Sequence, residues 1–436
     1  MHILNLGTYY NMSKTYCSYP WRHQYVHTTG HQKICCMSED NITKENQYDH
    51  YKMNRDEMLD SWNSQYMKNI RLKMIAGEEI TNCQKCVTAE SQGLTSMRTI
   101  ENKEKFISAT NKDGSVDHAP TSLELHFGNT CNLHCKMCSQ QFSHMIGKEL
   151  IKMGKQDPEF LKWVKKESGV LNNWTGELEI EYDWYKNKKI KKSIFEHVSK
   201  NVDQLVVIGG EPTIIKEFYE LLEYCSVQDT LKDKKLTITT NMTNTSKNLS
   251  TWLGAVQHFT IHASIDGLDA RNRYIRYPCD WNSVLKAISF YKATVEKHKN
   301  GRFSFAPAIQ LLNIDQLPEM CQFFLQNFIS DDCDIAWVSQ VRYPIICDYA
   351  ILPTEHRLKI ADRIEKASKT IDHANTVTKL LGHATDLRTE TFSTDQQKIY
   401  QKMFMRYNDH QDKFRNSTTW RTLLPDLEES LTKSQK

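Results

Sequence analysis

Between residues 122 and 341 strand-like and helix-like stretches take turns, and this alternation restricts the chain to few folds. Runs rich in branched and aromatic residues fall near 122–127, 203–208, 235–240, 258–264, 302–311 and 334–341. Helix-periodic stretches lie near 215–226, 281–298, 315–327 and 354–370. Strand, helix and strand in succession make a βα unit with parallel strands, so the pattern predicts an α/β fold built on a parallel sheet. Six strands predict an open, partial (β/α)6 TIM-like barrel, since a closed barrel of this type needs eight. In such folds chemistry gathers at the C-terminal ends of the strands.

One of those ends carries an unusual loop. The run Ser122-Leu-Glu-Leu-His-Phe127 stops at Gly128-Asn129 and leads into Cys131-Asn-Leu-His-Cys135-Lys-Met-Cys138. Three thiolates on one short loop can hold three corners of an iron-sulfur cubane. The fourth iron is then open to a ligand, whereas an electron-transfer cluster normally takes four Cys. Zinc is the competing reading, with His134 inside the loop, but a Cys-x3-Cys-x2-Cys spacing without a second ligand pair is unusual for structural zinc.

A second strand pattern, Asp203-Gln-Leu-Val-Val-Ile208, runs into Gly209-Gly210-Glu211-Pro212. Two residues without Cβ allow a ligand to lie against the backbone. Alone, this sequence describes an ordinary turn before a helix.

Together, the three-Cys loop and the Gly-Gly-Glu-Pro strand end resemble the radical S-adenosylmethionine (SAM) enzymes. Met137, where those enzymes often carry an aromatic residue, is a mild departure. The resemblance implies a [4Fe-4S] cluster on Cys131, Cys135 and Cys138, with the open iron chelated by the amino and carboxylate groups of SAM. It implies reductive cleavage of SAM to a 5′-deoxyadenosyl radical that abstracts hydrogen from substrate, with a reductase such as flavodoxin or ferredoxin as electron donor. By the same resemblance Gly209, Gly210 and Glu211 serve the SAM amino group, and Asn241 ends a strand aimed at the nucleoside. Ser264 and Asp266, in the Ser-x-Asp-Gly strand end, become expected partners of the SAM carboxylate and ribose, and Arg276 an ion-pair partner of that carboxylate. Asn313 is a weaker member of the set. Singly, each of these residues also reads as a turn residue or a surface Arg.

Thirteen cysteines are present, five of them in the first 86 residues: Cys17, Cys35, Cys36, Cys83 and Cys86. Thr28-Thr-Gly-His31 is a hairpin signal between strand-like residues. Helical spacing from Met58 to Glu78 stops at Gly77, and Trp62 lies within it. This arrangement resembles the SPASM or twitch auxiliary-cluster modules of radical SAM enzymes, although those normally follow the barrel. The resemblance implies a second iron-sulfur cluster on Cys17, Cys35, Cys83 and Cys86, with Cys36 the alternate for Cys35. A structural zinc is the competing occupant. The singly scattered cysteines at 225, 279, 321, 333 and 347 read as core packing.

The expected organisation is a cysteine-rich α+β module over 1–117, a partial barrel over 118–350 with an insertion at 143–201, and a helical C-terminal extension over 351–436. The insertion is longer than a βα crossover needs. It contains Trp163, Trp174, Trp184, Tyr182 and Tyr185 and ends in the basic run Lys186-Asn-Lys-Lys-Ile-Lys-Lys192. Basic residues among aromatics can bind nucleic acid, but a solvated amphipathic insert is the favoured reading. In the tail, Asp412-Lys-Phe-Arg415 precedes Leu424-Pro-Asp-Leu427 with no chemistry assigned.

Net charge is +3 over 436 residues, which points to neither nucleic acid nor membrane. No apolar stretch is long enough to span a bilayer and the first residues lack a basic start, so the expected location is cytoplasmic. There, reduced thiols point to metals or catalysis. The expected substrate is a peptide or protein, with a nucleotide or small metabolite, or a non-catalytic iron-sulfur protein, as alternatives.

Overall fold

The computed structural model describes residues 15–46, 48–91, 96–102, 106–166, 182–328, 333–335 and 339–435. Trp174 lies outside them, as do residues 1–14, and of Cys333 only the backbone is described. The chain forms two compact units, one from residues 1–128, 181–207 and 216–235, the other from 129–180, 208–215 and 236–436.

In the first unit, β1 (His23–Val26) turns through Thr28–Gly30 into β2 (Gln32–Lys33), as the hairpin signal predicts. Gly30 sits at φ +81, where a side chain is strained, and the Trp184 ring lies 3.2 Å from where its Cβ would be. The Trp184 indole N–H donates to the Thr28 carbonyl at 2.8 Å. On its other edge β1 pairs in parallel with β3 (Ser122–His126), Tyr25 beside Glu124, and β4 (Gln204–Ile208) lies next to β3. Thus the cysteine-rich segment and the first predicted barrel strand share one sheet. A helix, Gln65–Ala76, is capped by Ser64 and stopped by Gly77 at φ +78, shorter than its periodicity implied because residues 53–64 form turns. Tyr16, Trp21, Ile34, Trp62, Ile70, Met74 and Val116 pack into one apolar cluster beneath the hairpin.

The basic end of the insertion forms the helix Lys188–Asn201 of this unit. Three cations of the basic run have carboxylate partners: Lys186 pairs with Asp183 at 2.9 Å, Lys189 with Glu57 at 3.0 Å and Lys191 with Glu220 at 2.6 Å.

The second unit carries β5 (Lys235–Thr240), β6 (His258–Ala263), β7 (Gly301–Phe305), β8 (Ala308–Ile309), β9 (Cys333–Ile335) and β10 (Ser339–Gln340). β6, β7 and β9 run parallel, with Ile261 beside Phe303 and Phe305 beside Ile335. Helices Lys247–Ala255, Trp281–His298 and Leu317–Asn327 intervene in sequence, so the α/β class and parallel sheet expected from the alternation are what the chain has. The expected strand at 302–311 divides into β7 and β8, the described residues of 334–341 belong to β9 and β10, and β8 and β10 pair separately. C-terminal helices follow at Thr354–Ser368, Ala374–Arg388 and Thr394–Arg415. The insertion's helix Pro158–Lys166 packs on the last of these, Phe160 stacking on His410 at 3.8 Å between ring centroids. Among the described residues no helix is long and apolar enough to cross a membrane.

Candidate functional site

Chain direction brings the expected site residues of the second unit just past strand ends: Gly209–Glu211 after β4, Asn241 after β5 and Ser264–Asp266 after β6. The three-Cys loop is fastened to this frame by its backbone. Thr130 carbonyl accepts the Glu211 N–H at 2.7 Å, while His134 N–H and Lys136 N–H donate to the carbonyls of Tyr277 and Ile275 at 2.7 and 2.8 Å.

Gly210 explains the first of these contacts. A Cβ there would lie 2.0 Å from the Thr130 carbonyl oxygen, and Gly209 holds φ +130. The glycine pair was expected to make room for a ligand, but at Gly210 the space is filled by the backbone of the cysteine loop itself. Glu211 likewise serves the frame. Fully buried, it accepts from Thr213 Oγ1 at 2.6 Å and Thr240 Oγ1 at 2.8 Å on one oxygen, and from the Asn241 N–H at 2.5 Å on the other. Burial raises its pKa against these donors.

Cys131 and Cys135 are buried and Cys138 partly so. Burial, reinforced by Cys135, pushes the Cys131 thiol up to about 12. A hydrogen bond with Cys138 holds Cys135 below its ordinary value, helped by the Arg276 guanidinium. Arg276 Nη1 lies 3.9 Å from Cys135 Sγ, and Asn241 Nδ2 lies 3.7 Å from Cys131 Sγ. Arg276 also meets Asp266, at 2.8 Å between Nε and Oδ2, where both were expected to meet SAM. Asp266 is fully buried and accepts the Ala308 N–H at 2.8 Å. Ser264 is half-buried, its N–H on the Thr240 carbonyl. Asn313, the weakest of the expected set, is buried and braces the Asp266 carbonyl at 2.9 Å.

Converging thiols with a guanidinium and an amide beside their sulfurs suit an anionic thiolate-bound cluster, because the cation offsets the charge that burial penalises. The residues present therefore fit a cubane on Cys131, Cys135 and Cys138.

Sequence reasoning missed most of what holds this loop from its other side. Lys136 Nζ pairs with Asp412 Oδ1 at 2.7 Å, both buried, and Glu149 meets His134 Nδ1 at 2.8 Å and Arg415 Nη2 at 3.0 Å. The Asp412–Arg415 motif was visible as a sequence, but nothing in it named partners so distant along the chain.

In the first unit Cys17, Cys35, Cys83 and Cys86 come within electrostatic reach of one another. Burial raises Cys17, and Cys35, Cys83 and Cys86 each add to the rise. Cys35 goes up to about 12 through burial and then through Cys83 and Cys86, against backbone donors. Cys36 is exposed, where Cys17 and Cys86 are buried and Cys35 and Cys83 partly so. Arg98 lies close enough to Cys83 to oppose its rise. Among the described residues no three Cys, His, Asp or Glu side chains stand at the spacing that holds a single metal ion.

Residues 125–324 match the Radical SAM superfamily. Among solved structures, Streptococcus suis SuiB bound to S-adenosylmethionine is 18% identical, with a TM-score of 0.36 over 66% of this chain and 57% of that one. Another SuiB structure is 17% identical, with a TM-score of 0.35 over 70% of this chain and 62% of that one. SuiB bound to the precursor peptide SuiA is 15% identical, with a TM-score of 0.30 over 66% and 69%. This chain therefore spans less than two thirds of the length of the first two, and likenesses this slight carry no weight for it. Comparison with curated proteins gives no match. The superfamily implies a [4Fe-4S] cluster and SAM as cofactors, and the three-Cys loop lies inside the matched segment. Residues 125–324 of this chain are a radical SAM domain.

Proposed function

We propose that this protein is a radical SAM enzyme acting on a peptide or protein. The observation that carries the chemistry is the convergence of Cys131, Cys135 and Cys138, with Arg276 beside Cys135, inside the superfamily match. When bound, the cluster supplies the electron that cleaves SAM to a 5′-deoxyadenosyl radical, which takes hydrogen from substrate. The chain's own residues hold and shield. Cys131, Cys135 and Cys138 ligate, Arg276 offsets thiolate charge, and the buried Glu211 fixes the Gly209–Glu211 turn to the end of β5. Of the side chains expected at the nucleoside, Ser264 is half-buried, whereas Asn241 is buried with its amide on Asn132 Oδ1 at 2.8 Å and beside Cys131 Sγ.

A peptide substrate is favoured by the grouping of Cys17, Cys35, Cys83 and Cys86, since auxiliary clusters accompany oxidation of peptides in the enzymes this module resembles. The nucleic-acid alternative rested on the basic run at 186–192, in which Lys186, Lys189 and Lys191 pair with carboxylates. We further propose a cytoplasmic location and a flavodoxin- or ferredoxin-type donor.

The test is anaerobic incubation with SAM and dithionite, with and without a peptide encoded beside the gene. 5′-Deoxyadenosine together with a mass change in the peptide is expected. Replacing Cys131, Cys135 and Cys138 by Ala should abolish both products. Continued 5′-deoxyadenosine formation by that variant would reject the site, and competition by RNA would turn the reading toward the nucleotide alternative.

A further inference from the structure

The last turn of helix Thr394–Arg415 reaches the cysteine loop with two side chains one turn apart. Asp412 Oδ1 accepts from Lys136 Nζ at 2.7 Å, and its Oδ2 accepts from Tyr274 Oη at 2.9 Å and from the Trp420 N–H at 2.8 Å. Arg415 Nη2 donates to the His134 carbonyl at 2.7 Å and to Glu149 Oε1 at 3.0 Å, while its Nε lies 3.1 Å from Glu149 Oε2. Glu149 in turn accepts from His134 Nδ1 at 2.8 Å and from Gln411 Nε2 at 2.7 Å. The side chains of Lys136, Asp412, Glu149 and Arg415 are all 3% exposed or less.

His134 and Lys136 are the two residues flanking Cys135. Each is gripped twice: by backbone hydrogen bonds to Tyr277 and Ile275 on one side, and by the helix end on the other. The Arg415 guanidinium also stacks over the Tyr277 ring at 4.7 Å. Between those contacts lies Arg276, whose Nη1 is 3.9 Å from Cys135 Sγ. Buried ion pairs persist only with tight geometry, because an unpaired charge there is costly. Four such groups converging on one three-residue stretch fix it more firmly than packing alone.

We infer that Asp412 and Arg415 are positioning residues for the radical cluster: they set where Cys135 stands and how much charge surrounds it. They thereby link the cluster's reduction potential and SAM binding to the C-terminal helix. This rests on the radical SAM reading and extends it to a segment outside the matched domain, 276 residues from Lys136 along the chain.

The test uses the full chain, reconstituted anaerobically with iron and sulfide. Electron paramagnetic resonance of the dithionite-reduced protein is titrated with SAM and with potential, following only the signal that changes on SAM addition. Arg415→Met should lower the midpoint potential of that signal, since a nearby cation favours the reduced cluster, and should weaken SAM binding at least tenfold. Arg415→Lys keeps the charge but loses the fork on Glu149 and the His134 carbonyl. It should restore the potential while SAM binding stays weak. Glu149→Gln should move the potential the other way, and this milder change decides the question if Arg415→Met fails to fold. Asp412→Asn should weaken SAM binding with the iron retained. Wild-type potential and SAM affinity in Arg415→Met and Asp412→Asn, or an unmoved potential in Glu149→Gln, would overturn the inference. Absence of any SAM-responsive signal in the wild-type protein would instead reject the radical SAM reading beneath it.

Discussion

Adding one methyl group at Gly210 should cost the protein its radical cluster before it costs SAM recognition. The new Cβ would meet three backbone atoms: the Thr130 oxygen at 2.0 Å, the Thr130 carbonyl carbon at 2.5 Å and the Asn129 carbonyl carbon at 2.8 Å. None is the end of a flexible side chain, so relief to 3.0 Å requires the Thr130 carbonyl to retreat by 1.0 Å (3.0 − 2.0). That carbonyl holds the Glu211 N–H at 2.7 Å and belongs to the residue before Cys131. Overpacking costs about 1–3 kcal/mol, and one buried hydrogen bond about 1 kcal/mol, giving about 2–4 kcal/mol for Gly210→Ala. In equilibrium terms that is about 30-fold to 1,000-fold. Gly147→Ala is the control: its Cβ would meet only Gln140 Cβ at 3.4 Å, within the helix His144–Gln156, where Ala is the better residue by about 1 kcal/mol. Iron content after reconstitution and the denaturant midpoint should fall in Gly210→Ala and hold in Gly147→Ala. If Gly210→Ala kept full iron and a wild-type midpoint while losing SAM binding, the glycine would serve the ligand alone, and the packing argument would be wrong.

The variant lacking Cys131, Cys135 and Cys138 should keep about four irons per chain on Cys17, Cys35, Cys83 and Cys86. One zinc and no iron in anaerobically purified protein would make that module structural instead. Glu149 supplies an acid-side signature: burial would raise its pKa, yet the His134 hydrogen bond and the Arg415 guanidinium hold it below its ordinary 4.5. With a depressed folded-state value, the unfolded chain binds more protons in that range, so this stabilisation is complete above pH ~4.5 and drains away as pH falls. The stability gap between wild type and Glu149→Gln should therefore narrow on acidification; a gap constant from pH ~6 to ~3 would contradict the pairing. Trp184→Ala should destabilise the first unit by about 3–5 kcal/mol through the cavity left against Gly30 and the lost bond to Thr28, read as a drop in denaturant midpoint. A shift under about 1 kcal/mol would mean that the ring is not part of that core.

Strand periodicity and the strand-end motifs were legible because both depend on neighbours in sequence. Cys131, Cys135 and Cys138 belong to one loop, and Gly209–Glu211, Asn241 and Ser264–Asp266 follow the apolar runs that became β4, β5 and β6. What these residues touch was less legible. Asp266 and Arg276 satisfy each other, and Gly210 yields to Thr130, because a buried charge takes the nearest counter-charge and a close-packed backbone leaves no spare volume. Asp412 and Arg415 stood out without a role because pairing at that sequence distance leaves no periodic mark. The helix expected over 58–78 starts only at Gln65, since residues 58–64 form turns.

The parallel pairing of β1 with β3 has a consequence for how the polypeptide is made. His23 and Ser122 are partners 99 residues apart, and stretches 181–207 and 216–235 complete the same unit. A ribosome therefore releases the cysteines at 17, 35, 83 and 86 well before the strand that closes the sheet over their hairpin. During that interval the thiols are open to stray metals and oxidants, so any cluster placed on them is best delivered late, onto a nearly finished chain. Cutting the module out at residue 90 would recreate this unfinished state permanently, leaving β1 with an unpaired edge.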